Sequence, residues 1–175
     1  ATDGVGSLSI VRSTTAHRGH GHQQRSAKRV ACPRVYSSGG SWARREVIIV
    51  GGGPAGLNAA VIVGRGRRVV LLCDAGKPRN AATPLTWGVF TRDGTPPFTL
   101  REQAHADLDR YGTVERREIE VVEARRSEPG FEVELADGTR ESARRLILAT
   151  GLRQDLPKVE GFETYWGTGV HSCPY

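Results

Sequence analysis

The sequence predicts an α/β protein in which helices pack on a parallel sheet. Two short apolar runs, Val47–Val50 and Val69–Cys73, stand on either side of a segment with helical periodicity. A third apolar run follows much later in the chain, at Arg145–Leu148. Strands that are apolar throughout are typical of parallel sheets covered on both faces. Their alternation with a helix therefore predicts a βαβ unit.

The basic charge of the protein is concentrated in its first 45 residues. Of the net charge of +6 over 175 residues, this segment carries +7 and the remainder carries −1. Ser, Gly, Arg and His dominate residues 1–45, and such a composition predicts a disordered N-terminal arm. A targeting peptide and a non-native extension both remain open for it. Because the rest of the chain is nearly neutral, we expect no nucleic-acid partner.

Membrane association and metal binding are not expected either. No apolar run approaches the roughly 20 residues that a membrane helix needs. The three cysteines, Cys32, Cys73 and Cys173, are too few and too unevenly spaced for a disulfide framework or a zinc site. This cysteine usage predicts a reducing compartment, which is the cytoplasm.

A glycine-rich turn joins the first strand to the first helix. Gly51, Gly53 and Gly56 follow Val47–Val50, and small or apolar residues then recur with helical spacing. In this context the first glycine permits a tight turn, the second lets a pyrophosphate approach the backbone, and the third lets helix and strand pack closely. The turn therefore predicts a Rossmann-like dinucleotide-binding domain.

An acidic residue ends the second strand of the predicted unit. Asp74 lies 23 residues after Gly51, close to the spacing of about 20 expected for a carboxylate that binds a ribose. We therefore expect Asp74 to accept hydrogen bonds from ribose hydroxyls.

The middle of the chain predicts a loop, a helix and a small antiparallel sheet. Residues 76–97 show no periodicity, which is typical of a functional loop. Thr99 and Glu102 have the spacing of a capping box, and Gly112 is a natural end for the helix that follows. Antiparallel strands of a β-meander are predicted at Thr113–Arg117, Glu120–Arg125 and Phe131–Leu135, with a hairpin turn at Ala136–Thr139.

Five stretches together resemble the thioredoxin-reductase-like proteins among the flavoproteins with two dinucleotide-binding domains. They are VIIVGGGPAGLNAA, VVLLCDAGKPRN, TRDGTPPF, RRLILATG and HSCPY, and the resemblance covers Glu46–Tyr175. It implies an FAD-dependent oxidoreductase that passes reducing equivalents from NAD(P)H through the flavin to a Cys-x-x-Cys disulfide. The implied substrate is a small-molecule or protein disulfide, and a homodimer is one assembly that the resemblance allows.

The resemblance also implies which residues bind FAD and which one reacts. The implied contacts are Gly51, Gly53, Pro54, Ala55 and Gly56 at the pyrophosphate, Asp74 at the adenosine ribose, Asn80 at the ribityl or flavin end, the backbone of Val122 at the adenine, and Thr150 and Gly151 at the far side of the cofactor. Cys173 would be the first redox cysteine. His171 could stabilise its thiolate or could point away from it.

Several family features are missing from this chain. It has no second glycine fingerprint for NAD(P)H and no cysteine after Cys173. We therefore expect an N-terminal fragment, inactive alone, of a protein of about 300 residues. Its expected parts are a basic arm (1–45), the first part of an FAD-binding domain incomplete at its C-terminus (46–157), and a crossover into a missing NAD(P)H-binding domain (158–175). A flavin-dependent dithiol oxidase and a non-catalytic nucleotide-binding remnant stay open as alternatives.

Overall fold

The computed structural model of the protein describes residues 8–9, 45–153 and 155–171. Its elements, in chain order, are β1 (Leu8–Ser9), β2 (Val47–Val50), α1 (Pro54–Arg65), β3 (Val70–Cys73), a 3-10 helix (Arg79–Ala82), α2 (Pro97–Leu108), β4 (Val114–Arg117), β5 (Val121–Ser127), β6 (Gly130–Leu135), β7 (Arg140–Ala143), β8 (Arg145–Leu148) and α3 (Phe162–Tyr165). No helix in these ranges is long and apolar enough to cross a membrane.

A parallel sheet forms the centre of the fold. Its strand order is β4-β3-β2-β8, and every residue of β2 and β3 is buried. Val47 pairs with Val70 on one side and with Arg145 on the other. The predicted Rossmann-like α/β fold is confirmed.

Alternate residues of the central strands pack into two separate hydrophobic cores. Ile48 and Val50 of β2 contact buried side chains of the antiparallel sheet, such as Val133. Val47 and Ile49 face the opposite way, toward α1 and α2. Because successive side chains of a strand point to opposite faces, a strand between two apolar layers must be apolar at every position. This is the physical reason for the uninterrupted run at Val47–Val50.

The predicted β-meander is present, but it uses different strands from those expected. The antiparallel sheet has the order β1-β5-β6-β7. The prediction that Thr113–Arg117 belongs to it is wrong, because Val114–Arg117 forms β4 and pairs parallel to β3. The cause is α2, which carries the chain back along the sheet so that the next strand enters in the same direction. The third strand of the meander is instead Arg140–Ala143.

The hairpin turn between β6 and β7 has the predicted position. Gly138 has φ +80°, a conformation that glycine adopts without steric cost. Asp137 Oδ1 accepts hydrogen bonds from the backbone N–H of Thr139 at 2.9 Å and from its hydroxyl at 2.6 Å. The Asp-Gly pair therefore fixes the register of the two strands, as its sequence indicates.

The capping box predicted for α2 is wrong. The helix begins at Pro97, two residues before Thr99, and no side chain caps its N-terminus within the described chain. A proline in the first helical position has its φ already set and lacks an N–H that would need a partner, which explains the earlier start. The helix also ends earlier than expected, at Leu108, and a turn leads to Gly112.

Three residues of the predicted arm, 1–45, belong to the described chain: Leu8, Ser9 and Arg45, and Arg45 forms an ion pair with Glu115 at 3.0 Å. Leu8 and Ser9 form β1 and pair antiparallel with Ala124 and Glu123 of β5. The edge of a sheet offers unpaired N–H and C=O groups, and even a two-residue segment can satisfy some of them. The rest of the arm up to residue 44 lies outside the described residues, so its disorder stays a prediction.

Candidate functional site

A cavity of about 570 Å³ opens at the carboxyl ends of β2, β3 and β8. The chain leaves β2 toward β3 on one side of it and returns in β8 on the other side. Ligands of open α/β sheets bind at such a topological switch point. The cavity is lined by Val50, Gly51, Gly52, Gly53, Pro54, Cys73, Asp74, Ala75, Lys77, Pro78, Arg79, Asn80, Ile119, Glu120, Val121, Ala149, Thr150, Gly151 and Leu152.

Two glycines of the turn after β2 are required by the protein itself. Gly51 has φ +107°, and a Cβ there would lie 2.3 Å from the carbonyl oxygen of Ala149. A Cβ at Gly56 would lie 1.8 Å from the carbonyl oxygen of Gly51. Both distances are far below van der Waals contact, so the turn can only approach β8 and α1 this closely without side chains.

Gly53 is different, because no contact among the described residues demands a glycine there. Its backbone is extended, with φ −76° and ψ −178°, and a Cβ would meet no atom of residues 45–153 or of the other described segments within 4 Å. The residue lines the cavity directly before the N-terminus of α1. The open space at Gly53 fits a group that approaches the backbone from the cavity.

The first turn of α1 is suited to an anion. Within the described chain, no side chain caps this N-terminus, and its first turn contains no acidic residue. The unpaired N–H groups and the positive end of the helix dipole are therefore not neutralised by the protein. Phosphate groups bind helix N-termini for these two reasons.

Asp74 lies next to the glycine turn, where its carboxylate accepts two hydrogen bonds and approaches Gly52 closely. Its Oδ1 accepts a hydrogen bond from the backbone N–H of Gly76 at 3.1 Å. Its Oδ2 accepts one from Arg101 Nη2. A Cβ on Gly52 would lie 2.4 Å from the carboxyl carbon of Asp74. The second glycine of the run, to which the sequence assigned no task, is thus explained by the close approach of Asp74.

The structure brings most of the predicted cofactor residues to one cavity. Those that line it are Gly51, Gly53, Pro54, Asp74, Asn80, Thr150 and Gly151. Gly56 is buried where α1 meets the turn, and Ala55 is exposed beside it. Val122 does not line the cavity, whereas its neighbour Val121 does. The roles of these residues stay predictions.

Sequence reasoning missed three residues that the fold places at or beside the cavity. Lys77 and Arg79 line it with exposed basic side chains. Arg101 reaches Asp74 from α2, 27 residues further along the chain. The first two stand within the loop predicted to be functional, but no local pattern indicates the third.

The segment that leads to the predicted redox cysteine packs against the cavity-lining loop. Cys173 itself lies outside the described residues, which end at His171. A Cβ at Gly167 would lie 2.0 Å from the carbonyl oxygen of Ala82, so the segment touches the 3-10 helix that carries Asn80. His171 is exposed, and its Nε2 lies 3.0 Å from the carbonyl oxygen of Thr168.

Cys73 is a buried thiol without thiolate character. Burial raises its pKa from the ordinary 9.0 to about 12, and the charge of nearby Arg117 only partly opposes this effect. The thiolate is the reactive form of cysteine. Cys73 is therefore suited to packing in the core rather than to redox chemistry.

We expect Cys73 to resist thiol reagents in the native protein. At pH 8 a thiol with a pKa of about 12 is ionised in roughly one molecule in 10,000. In the 175-residue chain with Cys32→Ser and Cys173→Ser, an Ellman titration at pH 8 should detect no thiol under native conditions and one thiol in denaturant. Rapid labelling of the native variant would contradict the burial of this side chain.

A strand leads through a glycine turn into a helix, and an acidic residue follows the second strand at a topological switch point. This arrangement defines a dinucleotide-binding domain of the Rossmann type. The sequence model of the pyridine nucleotide-disulphide oxidoreductase family matches residues 45–174. The chain belongs to this family, which confirms the resemblance inferred from its motifs.

Named relatives and solved structures agree with this assignment. A thioredoxin reductase of Gibberella zeae is 37% identical over 138 residues, which cover 72% of this chain and 40% of that protein. The structure of an oxidoreductase from Agrobacterium tumefaciens matches with a TM-score of 0.72 and 41% identity, over 75% of this chain and 45% of that one. A thioredoxin reductase from Gloeobacter violaceus matches with a TM-score of 0.58 and 27% identity, over 69% and 41%. The chain thus spans less than half the length of each of these proteins.

Proposed function

We propose that this chain forms the FAD-binding part of an oxidoreductase that passes reducing equivalents from NAD(P)H through the flavin to a Cys-x-x-Cys disulfide. The observation that carries the proposal is Gly53, whose missing side chain leaves space that no atom of the described chain fills. This space lies at the N-terminus of α1 in the same cavity as Asp74. Membership of the pyridine nucleotide-disulphide oxidoreductase family supports flavin and NAD(P)H as cofactors.

The residues of the cavity fit the parts of FAD. Backbone N–H groups of the first turn of α1, after Pro54, would hold the diphosphate at the positive end of the helix. Asp74 would accept hydrogen bonds from the hydroxyls of the adenosine ribose. Asn80 would hold the ribityl or flavin end, and Thr150 and Gly151 the far side of the cofactor. When bound, the flavin supplies the hydride and electron transfer, while the protein binds and orients it.

Cys173 would be the first cysteine of the redox pair. The contact between Gly167 and Ala82 supports this role, because it holds the preceding segment beside the helix that carries Asn80. Cys73 is a poor candidate, since its raised pKa keeps it a thiol. In a Cys-x-x-Cys pair, one thiolate attacks the external disulfide and the second cysteine resolves the mixed disulfide, so that the substrate leaves as two thiols.

The partners and location follow from the same proposal. The substrate would be a small-molecule or protein disulfide, and the intact protein would be a homodimer. We place it in the cytoplasm, because disulfide reductases and cysteines without a disulfide framework belong to reducing compartments.

The full-length protein tests this function directly. It should purify yellow with bound FAD, and anaerobic NADH or NADPH should bleach the flavin absorbance. Addition of a disulfide should then restore the flavin spectrum and release thiols. A colourless protein that binds NAD alone would overturn the proposal, and dithiol-dependent oxygen uptake without NAD(P)H would favour the dithiol oxidase instead.

We expect the 175-residue chain alone to bind FAD weakly or not at all. Leu148 and Leu152, at the β8 side of the cavity, are 49% and 72% exposed, and β8 has only β2 as a partner among the described strands. An uncovered apolar surface and an open strand edge favour association over ligand binding. Calorimetry with FAD measures this, and a submicromolar dissociation constant would show that the FAD site is complete within these residues.

A further inference from the structure

Asp74 and Arg101 form an ion pair between the end of β3 and the second turn of α2. Arg101 Nη2 donates to Asp74 Oδ2. The two side chains are 22% and 20% exposed, so the pair is shielded from solvent over most of its surface. The Nε of Arg101 is buried and has no hydrogen-bond partner among the described residues. A guanidinium in this position gives up hydration, and its contact with Asp74 offsets that cost.

Asp74 and Arg101 differ in their relation to the cavity. Asp74 lines the cavity, whereas Arg101 is not among the described residues that do. A ligand in the cavity can therefore contact Asp74 without displacing Arg101. The ion pair is compatible with an occupied site.

The hydrogen bonds of Asp74 leave it with the acceptor capacity that a ribose requires. An ionised carboxylate has about four lone-pair sites. One is used by the N–H of Gly76 and one by Arg101. The remaining two match the two vicinal hydroxyls of a ribose, each of which can donate one hydrogen bond.

The charge of Asp74 also needs compensation at this position. The carboxyl group lies so close to Gly52 that a Cβ there would be 2.4 Å away, and Gly53 is the next residue along the turn. A diphosphate bound at Gly53 would thus be near a carboxylate of the same sign. A neighbouring guanidinium reduces this repulsion.

We propose that Arg101 is a positioning residue for cofactor binding, which fixes the Asp74 carboxylate for the adenosine ribose of FAD and offsets its charge beside the diphosphate. This inference rests on the proposed function, since it concerns the same cavity. Arg101 acts through Asp74 and does not itself touch the cofactor.

A double-mutant cycle on the full-length apoprotein tests the proposal. The dissociation constant for FAD is measured by calorimetry for wild type, Arg101→Ala, Asp74→Asn and the double variant. Arg101→Ala should weaken binding about tenfold. In the Asp74→Asn background the same change should alter it less than about twofold, because no carboxylate remains to be positioned. Arg101→Lys should recover part of the loss, since it keeps the charge but not the planar geometry.

Arg110→Ala provides the matched control. This arginine lies just beyond α2, is 76% exposed and pairs with Asp107 at 3.3 Å, so its removal should not change FAD affinity. Thermal unfolding of each apoprotein separates a loss of stability from a loss of affinity. Should Arg101→Ala fail to fold, Arg101→Gln takes its place in the cycle.

The outcomes distinguish this inference from the proposed function. A wild-type protein that does not bind FAD would overturn the function. A wild-type protein that binds FAD, with equal affinity in Arg101→Ala or with equal losses in both backgrounds, would overturn the role of Arg101 alone.

Discussion

Replacing Gly53 with valine should abolish flavin retention in the full-length protein while leaving its fold intact. The backbone at this residue is extended, and a Cβ would contact no atom within 4 Å in the part of the chain that the structure describes. Valine therefore fits the apoprotein, but its side chain would occupy the space through which a diphosphate approaches the backbone. Loss of the hydrogen bonds to the diphosphate should weaken FAD binding by at least about 100-fold. Flavin absorbance per protein and the melting temperature of the apoprotein measure the two effects separately.

Gly56→Val is the contrasting variant within the same turn. A Cβ there would lie 1.8 Å from the carbonyl oxygen of Gly51, so this substitution should lower the melting temperature of the apoprotein itself. Gly53→Val should not. Normal flavin content in Gly53→Val would show that the cofactor does not pass over this residue.

Cys173→Ser should eliminate disulfide reduction by the full-length protein and preserve flavin reduction by NAD(P)H. The hydride reaches the flavin before any thiol takes part, so the first half-reaction does not need the cysteine. The second half-reaction requires a thiolate, and a serine hydroxyl cannot replace it. Anaerobic stopped-flow spectroscopy should show bleaching of the flavin at the wild-type rate, and a thiol-release assay should show turnover at background.

Cys32→Ser is the control for this experiment, because Cys32 belongs to the N-terminal arm and should not affect either half-reaction. Cys73 is unsuitable as a control, since it is buried in the core and a hydroxyl there would cost stability. Disulfide turnover by Cys173→Ser at the wild-type rate would exclude the proposed redox pair and indicate a flavoprotein of another kind.

The parts of the fold that could be predicted are those coded by neighbouring residues. The run at Val47–Val50 indicated a strand covered on both faces, and the structure places two different cores against it. The glycine turn and Asp74 could be identified from the sequence, because the number of residues between them follows from the length of a βαβ unit. The hairpin at Asp137 and Gly138 could be predicted because its turn type favours these two residue types.

The parts that could not be predicted depend on contacts between distant residues. The strand β4 is short and has one apolar residue, Val114, followed by three charged ones. Such a pattern does not reveal whether the partner strand is parallel or antiparallel. The ion pair between Arg101 and Asp74 depends on how α2 packs against the rest of the domain. No local sequence pattern indicates that packing. The same holds for Gly167, whose close approach to Ala82 brings together segments 85 residues apart.

The approach of Gly51 to Ala149 has a consequence for the order in which the protein assembles. These residues stand 98 positions apart, yet a Cβ on one would lie 2.3 Å from the carbonyl oxygen of the other. During synthesis the glycine turn leaves the ribosome well before β8, the strand that leads to Ala149. The contact between the turn and Ala149 therefore cannot form until Ala149 has emerged, and closing so long a loop is slow compared with forming a helix such as α1. The cavity proposed for the cofactor can therefore form only after the last described strand of the parallel sheet has docked.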